Sequence, residues 1–257
     1  MADPAHASRL SNAPAATAGL RLRDVSVSFG SAAILRGFSS DLQAGEITAI
    51  LGASGVGKST LLRRIAGLVG GPGDVVATDG ESLQDRVAFM GQSDLLLPWL
   101  SVASNASLGA RLRGERRDPG RLQRVLRDVE LTDAAQLRPA ALSGGMRQRA
   151  ALARTLMEDR PIVLMDEPFS AVDALTRLRL QDLALRVLRG RTVVLVTHDP
   201  WEAIRIADRI VVLSGRPAES VLDTRPEGDA PRAPDSAGAR ELWRTVMVAL
   251  GHEAASA

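Results

Sequence analysis

The stretch ITAILGASGVGKSTLL, residues 47–62, decides the fold. Ile47 to Leu51 is a short apolar run that stops at Gly52, and a helical pattern, LLRRIAGL, follows Ser59 and Thr60. The order is therefore strand, glycine loop, helix. Within it, Gly52, Ala53, Ser54, Gly55, Val56, Gly57, Lys58 and Ser59 reproduce the spacing G-x-x-x-x-G-K-[ST] of a phosphate cradle. Glycines there let successive backbone N–H groups turn inward around an anion, and the helix N-terminus adds its positive dipole end. The spacing assigns Lys58 to the β- and γ-phosphates of a nucleotide and the Ser59 hydroxyl to Mg²⁺. Lys58 is the one lysine in the chain; every other basic side chain is arginine. It stands where a compact ammonium and a planar guanidinium differ in chemistry.

Outward from the cradle the chain alternates strand and helix signals. Leu20–Phe29 alternates apolar and polar residues, as a half-buried strand does, and residues 34–42 read as its antiparallel partner. Val75–Thr78 and Val87–Met90 are further short strands. Residues 101–158 turn helical, with arginine-rich polar faces and a charged turn near 113–120. Ile162–Met165 (IVLM) and Val193–Val196 (VVLV) are continuous apolar runs suited to buried parallel strands, with a helix over 174–188 between them. Strands at 209–213 and 220–222 close the sheet. A Pro-rich linker spans 224–235 and a short helix 240–250. The pattern predicts one α/β core carrying a helical insertion, preceded by a disordered lead over residues 1–19.

The second half of the phosphate chemistry stands at the end of IVLM. Asp166 and Glu167 follow a buried strand, which places both acids at the carboxyl edge of the sheet. Asp166 is the candidate Mg²⁺ partner and Glu167 the candidate general base for an attacking water. Together with the cradle, these residues predict hydrolysis of Mg-ATP or Mg-GTP.

Bulk composition sets limits on partners. The 257 residues carry a formal net charge of +2, which argues against nucleic acid as a partner. There is no cysteine, so disulfides and thiolate metal sites are excluded, and a reducing compartment fits. No apolar run approaches the roughly 18 residues needed to cross a bilayer, and the first residues lack the apolar core of a secretory signal. Membrane contact is expected through a partner.

Leu142-Ser143-Gly144-Gly145-Met146-Arg147-Gln148-Arg149 narrows the class. Ser143 is suited to cap a helix beginning after the two glycines, leaving a second set of N–H groups for a phosphate. LSGGMRQR resembles the signature motif of ABC ATPases and precedes the IVLM strand as it does in that family. The resemblance covers roughly residues 20–223. Gln92 matches the Q-loop glutamine, a Mg²⁺ sensor and permease contact. Ser170-Ala-Val-Asp173 resembles the D-loop, His198 the switch histidine that contacts the γ-phosphate, and Phe29 the aromatic that stacks on adenine.

The resemblance implies an ABC ATPase fold: a P-loop NTPase core, an antiparallel β subdomain and the helical signature subdomain at about 101–158. It implies a head-to-tail homodimer, each ATP lying between one cradle and the opposite subunit's Ser143 and Gly145. Residues 94–100, DLLLPWL, are apolar and contain a tryptophan where a surface loop prefers polar residues, so Gln92–Leu100 is the expected permease surface. LLPW is similar to the same segment in importers of nitrate, sulfonate and taurine, and of thiamine-type pyrimidine precursors. The longer context leans slightly toward the pyrimidine precursors. Such a subunit would sit peripherally on the cytoplasmic face of a bacterial inner membrane, with a periplasmic or lipoprotein solute-binding protein in the same system. An exporter ATPase or a non-transport ABC ATPase is the alternative.

Overall fold

The computed structural model describes residues 17–116 and 118–251. Most of the expected disordered lead therefore lies outside the described residues. Thr17–Gly19 are ordered, because the Ala18 carbonyl accepts a 2.7 Å bond from the Thr192 hydroxyl and Ala18 is buried.

A six-stranded sheet forms the centre. Its strands are β3 (Ile47–Gly52), β5 (Val87–Met90), β6 (Ile162–Asp166), β7 (Thr192–Thr197), β8 (Arg209–Ser214) and β9 (Glu219–Thr224), in the spatial order β5-β6-β7-β3-β8-β9. All neighbours are parallel except β8 and β9. Parallel strands buried on both faces read as continuous apolar runs, and the two-residue period of the strand sorts them. Ile162, Leu164, Val194 and Val196 face one core; Val163, Met165, Val193 and Leu195 face the other.

The first core lies between the central sheet and a three-stranded antiparallel sheet, ordered β2-β1-β4, of β1 (Leu20–Phe29), β2 (Ala32–Leu42) and β4 (Asp74–Ala77). Helix α1 (Lys58–Ile65) fills that gap with Leu61, Leu62 and Ile65, against Leu20, Leu22 and Phe38. The second core is covered by the helical insertion: α2 (Val102–Ala106), α3 (Leu108–Leu112), α4 (Pro119–Asp128), a 3-10 turn at Pro139–Ala141, and α5 (Gly144–Met157). Helix α6 (Ala174–Val187) joins β6 to β7 and packs on the same face.

Two departures from the sequence reading have physical causes. Helix α7 (Pro200–Ile206) was not anticipated, because seven residues are too few to show a helical period. Its start was nevertheless encoded: Asp199 accepts bonds from the backbone of Trp201 and Glu202, and Pro200 occupies the first turn. The terminal helix α8 spans Ala237–Ala249 rather than 240–250, since the Ser236 hydroxyl caps it by accepting from Ala239 N.

Helices α7 and α8 cover Ala49, Leu51, Ile210 and Val212 on the central sheet, completing a third core. Trp201 of α7 and Trp243 of α8 stack with centroids 5.7 Å apart and planes 14° from parallel. The guanidinium of Arg232 holds the preceding linker by donating to the carbonyls of Ile204 and Ala207. Among the described residues no helix is long and apolar enough to cross a membrane. Removing the Trp243 indole should cost about 2 kcal/mol, combining a stacked pair with partial burial. Urea denaturation of Trp243→Ala against the parent measures it.

Candidate active site

The loop after β3 bends as its glycines require. Gly57 sits at φ 117°, in the left-handed half of conformational space, and a Cβ there would come within 2.9 Å of Ile34 Cγ2. At Gly52 a Cβ would meet the Leu213 carbonyl oxygen at 2.7 Å. The loop is thus pressed between β2 and β8, which aims it over the sheet edge. Helix α1 begins at Lys58 with no side-chain cap and no acid in its first turn, so its leading N–H groups, including Ser59 and Thr60, remain free for an anion.

Lys58 is only 4% exposed, and its ammonium donates to the carbonyls of Gly52 at 2.7 Å and Ala53 at 3.0 Å. Burial lowers its pKa, opposed by the carboxylates of Glu167 and Asp166. Asp166 is 3% exposed, and burial raises its pKa against the Ser59 hydrogen bond. The Ser59 hydroxyl donates to Asp166 Oδ1 at 2.8 Å. Two buried groups of opposite charge therefore lie close enough to influence each other's ionisation.

Glu167 has a positive φ of 47°, rare for a residue with a side chain and a sign of a constrained turn. Its N–H donates to the Val196 carbonyl, and its own carbonyl accepts from both the backbone and the hydroxyl of Ser170. The turn aims the carboxylate outward. There Oε2 accepts from Gln92 Nε2 at 3.3 Å and lies 3.2 Å from His198 Nδ1. Gln92, Glu167 and His198 come from three separate segments and converge on one oxygen.

Ser59 and Asp166 supply oxygen donors, the chemistry that Mg²⁺ takes. No group of three or more His, Cys, Asp or Glu side chains forms a metal cage among the described residues.

The other predicted residues stand apart from this cluster. Ser143 caps α5 by accepting from Met146 N, and the helix begins at Gly144, so the two glycines belong to its first turn instead of preceding it. Gly145 packs so closely on Thr176 that a Cβ would lie 2.6 Å from its methyl carbon. Asp173 caps α6 by accepting from Thr176 N. Phe29 ends β1 with 55% of its surface exposed. Among the described residues, no hydrogen bond joins Ser143 or Asp173 to Lys58, Asp166 or Glu167.

The matching family model is that of ABC transporters, over residues 35–170. The chain belongs to that family. The aliphatic sulfonates import ATP-binding protein of Xanthomonas axonopodis pv. citri is 41% identical over 244 residues, covering 91% of this chain and 97% of the relative. Its namesake in Delftia acidovorans is 43% identical over 249 residues, covering 95% and 98%. A solved ATP-binding cassette, described as dimeric and in a post-hydrolysis state bound to ADP and Pi, superposes with a TM-score of 0.69 at 30% identity, covering 81% of this chain and 99% of that one.

One residue of this region escaped the sequence reading. Glu202, on the first turn of α7, is 5% exposed, and burial pushes its pKa up to about 8 against a hydrogen bond with Thr197. Nothing in an isolated glutamate signals this; only the packing of α7 on the sheet does. An unfolded chain releases the same proton near the ordinary value of 4.5, so the folded state binds the extra proton between about 4.5 and 8. Stability therefore falls as pH rises through that window. In Glu202→Gln the thermal midpoint should decline less than the parent's from about pH 5 to about pH 9. Parallel curves would refute the assignment.

Proposed function

We propose that this chain is the ATP-hydrolysing subunit of an ABC importer for a small solute. The convergence of Gln92 and His198 on the Glu167 carboxylate, beside the Ser59–Asp166 pair, carries the reading. Lys58 binds the β- and γ-phosphates, with the backbone N–H groups of residues 52–60 around them. Ser59 and Asp166 hold Mg²⁺, with Gln92 at its edge. When bound, the cation neutralises charge on the transferring phosphoryl group.

Glu167 accepts a proton from the water that attacks the γ-phosphorus, and ADP is the leaving group. His198 orients that carboxylate and contacts the γ-phosphate. Phe29 supplies a face for adenine. Ser143, Gly144 and Gly145, with Asp173, serve the ATP of a second copy in a head-to-tail homodimer. The relatives' names as ATP-binding proteins and the dimeric state of the solved cassette support this arrangement. It also fits the separation of Ser143 from Lys58 within one chain.

The Gln92–Leu100 segment receives the membrane permease. Its Leu95 and Trp99 are 65% and 66% exposed, an apolar pair with no cover. The subunit works peripherally at the cytoplasmic face of a bacterial inner membrane, and a periplasmic or lipoprotein solute-binding protein delivers the solute. The names of the similar proteins support an aliphatic sulfonate as that solute over nitrate or a pyrimidine precursor.

Replacing Glu167 with Gln should lower turnover by about a thousandfold or more while ATP binding and a nucleotide-held dimer persist. Phosphate release and gel filtration read the two effects, and unchanged turnover would remove Glu167 as the base. Trp99→Ala should weaken association with the permease and leave basal ATPase intact; a fall in basal rate would make the loop structural. Deleting the gene should abolish growth on an aliphatic sulfonate as the only sulfur source. Normal growth on it would point to another solute.

A further inference from the structure

The apolar loop and the signature helix are tied together by side chains with no role in the chemistry above. Helix α5 carries Arg147 and Arg154, seven residues apart and so on one face about two turns from each other. Both reach the same residue of the loop. Arg147 Nε lies 3.2 Å from Asp94 Oδ2, while Asp94 Oδ1 accepts from Leu96 N at 3.1 Å. Arg154 forks across two consecutive carbonyls, donating to Asp94 O at 2.5 Å and to Leu95 O at 2.8 Å.

These bonds secure a loop whose backbone is constrained. Leu95 has φ 48°, with its side chain exposed, and Leu96 turns back into the core. Farther along, fully buried Asn105 accepts from Leu97 N and donates to the carbonyls of Leu97, Leu100 and Ser101. Hydrogen bonds from a guanidinium are stronger than neutral ones and directional, so a fork on adjacent carbonyls fixes orientation as well as distance. The N-terminus of α5, capped by Ser143, is thus rigidly continuous with the exposed Leu95–Trp99 surface.

A surface groove of about 390 Å³ lies between this assembly and the turn after Glu167, beside the close contact of Gly145 with Thr176. Asp94, Arg147 and Gln148 form one wall and Ser170 the opposite one. The Gln148 side-chain carbonyl is buried without a hydrogen-bond partner. A packed core resists deformation, so free volume at this seam is where one body can move against another.

We propose that Arg154, assisted by Arg147 and Asp94, is a positioning residue that clamps the Leu95–Trp99 loop to α5. A displacement of the loop then reaches Ser143 without loss. This rests on the reading of that loop as the permease surface. Its physical core, loop and helix moving as one body, is testable without a permease.

The chain has no cysteine, so introduced pairs are unique sites for spin labels. Trp99→Cys with Ala141→Cys spans loop and signature end; Trp99→Cys with Leu68→Cys spans loop and core. With MgATP added to the full chain in a Glu167→Gln background, the Trp99–Ala141 distance should stay narrow and constant while Trp99–Leu68 shifts. In Arg154→Met, which keeps the apolar stem, the Trp99–Ala141 distribution should broaden. Should that variant fail to fold, Asp94→Asn removes only the ionic link and should broaden it less. A distribution as narrow in these variants as in the parent, or one that shifts with MgATP in the parent, overturns the clamp.

A second readout uses the permease complex in the otherwise native chain. The ratio of permease-stimulated to basal ATPase should drop toward one in Arg154→Met, with partial return in Arg154→Lys. An unchanged ratio would also overturn the proposal. If Trp99→Ala shows that the loop does not meet the permease, the spin-label distances still decide the clamp.

Discussion

The contact between Ser59 and Asp166 is the interaction on which the rest of the structure depends. It joins the first turn of α1, which follows β3, to the end of β6, residues 107 apart in sequence, with β7 between β3 and β6 in the sheet. For the hydroxyl to reach the carboxylate, three parallel strands must end level with one another. Their register provides this: Ile50 pairs with Val196, and Val196 with Asp166. The same register places Glu167 N on the Val196 carbonyl and brings His198 round to the Glu167 carboxylate.

That alignment has an energetic cost which defines the site. Lys58 and Asp166 are almost completely buried, and burial shifts both pKa values against their charged forms. Buried charges are tolerated when partners surround them, here the Gly52 and Ala53 carbonyls at Lys58 and the Ser59 hydroxyl at Asp166. The positive φ at Glu167 adds local strain at the same place. Three apolar cores on the two faces of the sheet hold the geometry. The helical insertion packs into the second of these cores and also meets the nucleotide edge through arginine bonds to the 94–95 backbone.

Several features were legible in the residues alone. The cradle from Gly52 to Ser59 has the glycine spacing of a phosphate loop between strand and helix, and IVLM followed by two acids reads as a buried strand ending at a charged edge. LSGGMRQR, Gln92 and His198 were readable as family resemblances, and the family they pointed to is the one whose model matches residues 35–170. Helix α7 and buried Glu202 were not legible. A helix of seven residues leaves no periodic trace, and a glutamate's burial depends on what packs over it.

The sequence by itself determined local chemistry: which residues turn, which run straight and apolar, and which carry a phosphate-binding or acidic group. Those properties depend on spacing along a few residues. Tertiary structure alone decided which of them meet. Convergence of Gln92, Glu167 and His198 on one oxygen, and of Arg147 and Arg154 on Asp94, requires strand order, register and helix packing to agree across distant parts of the chain. Such agreement is a property of the whole sheet and its cores, which together fix the backbone that carries each contact.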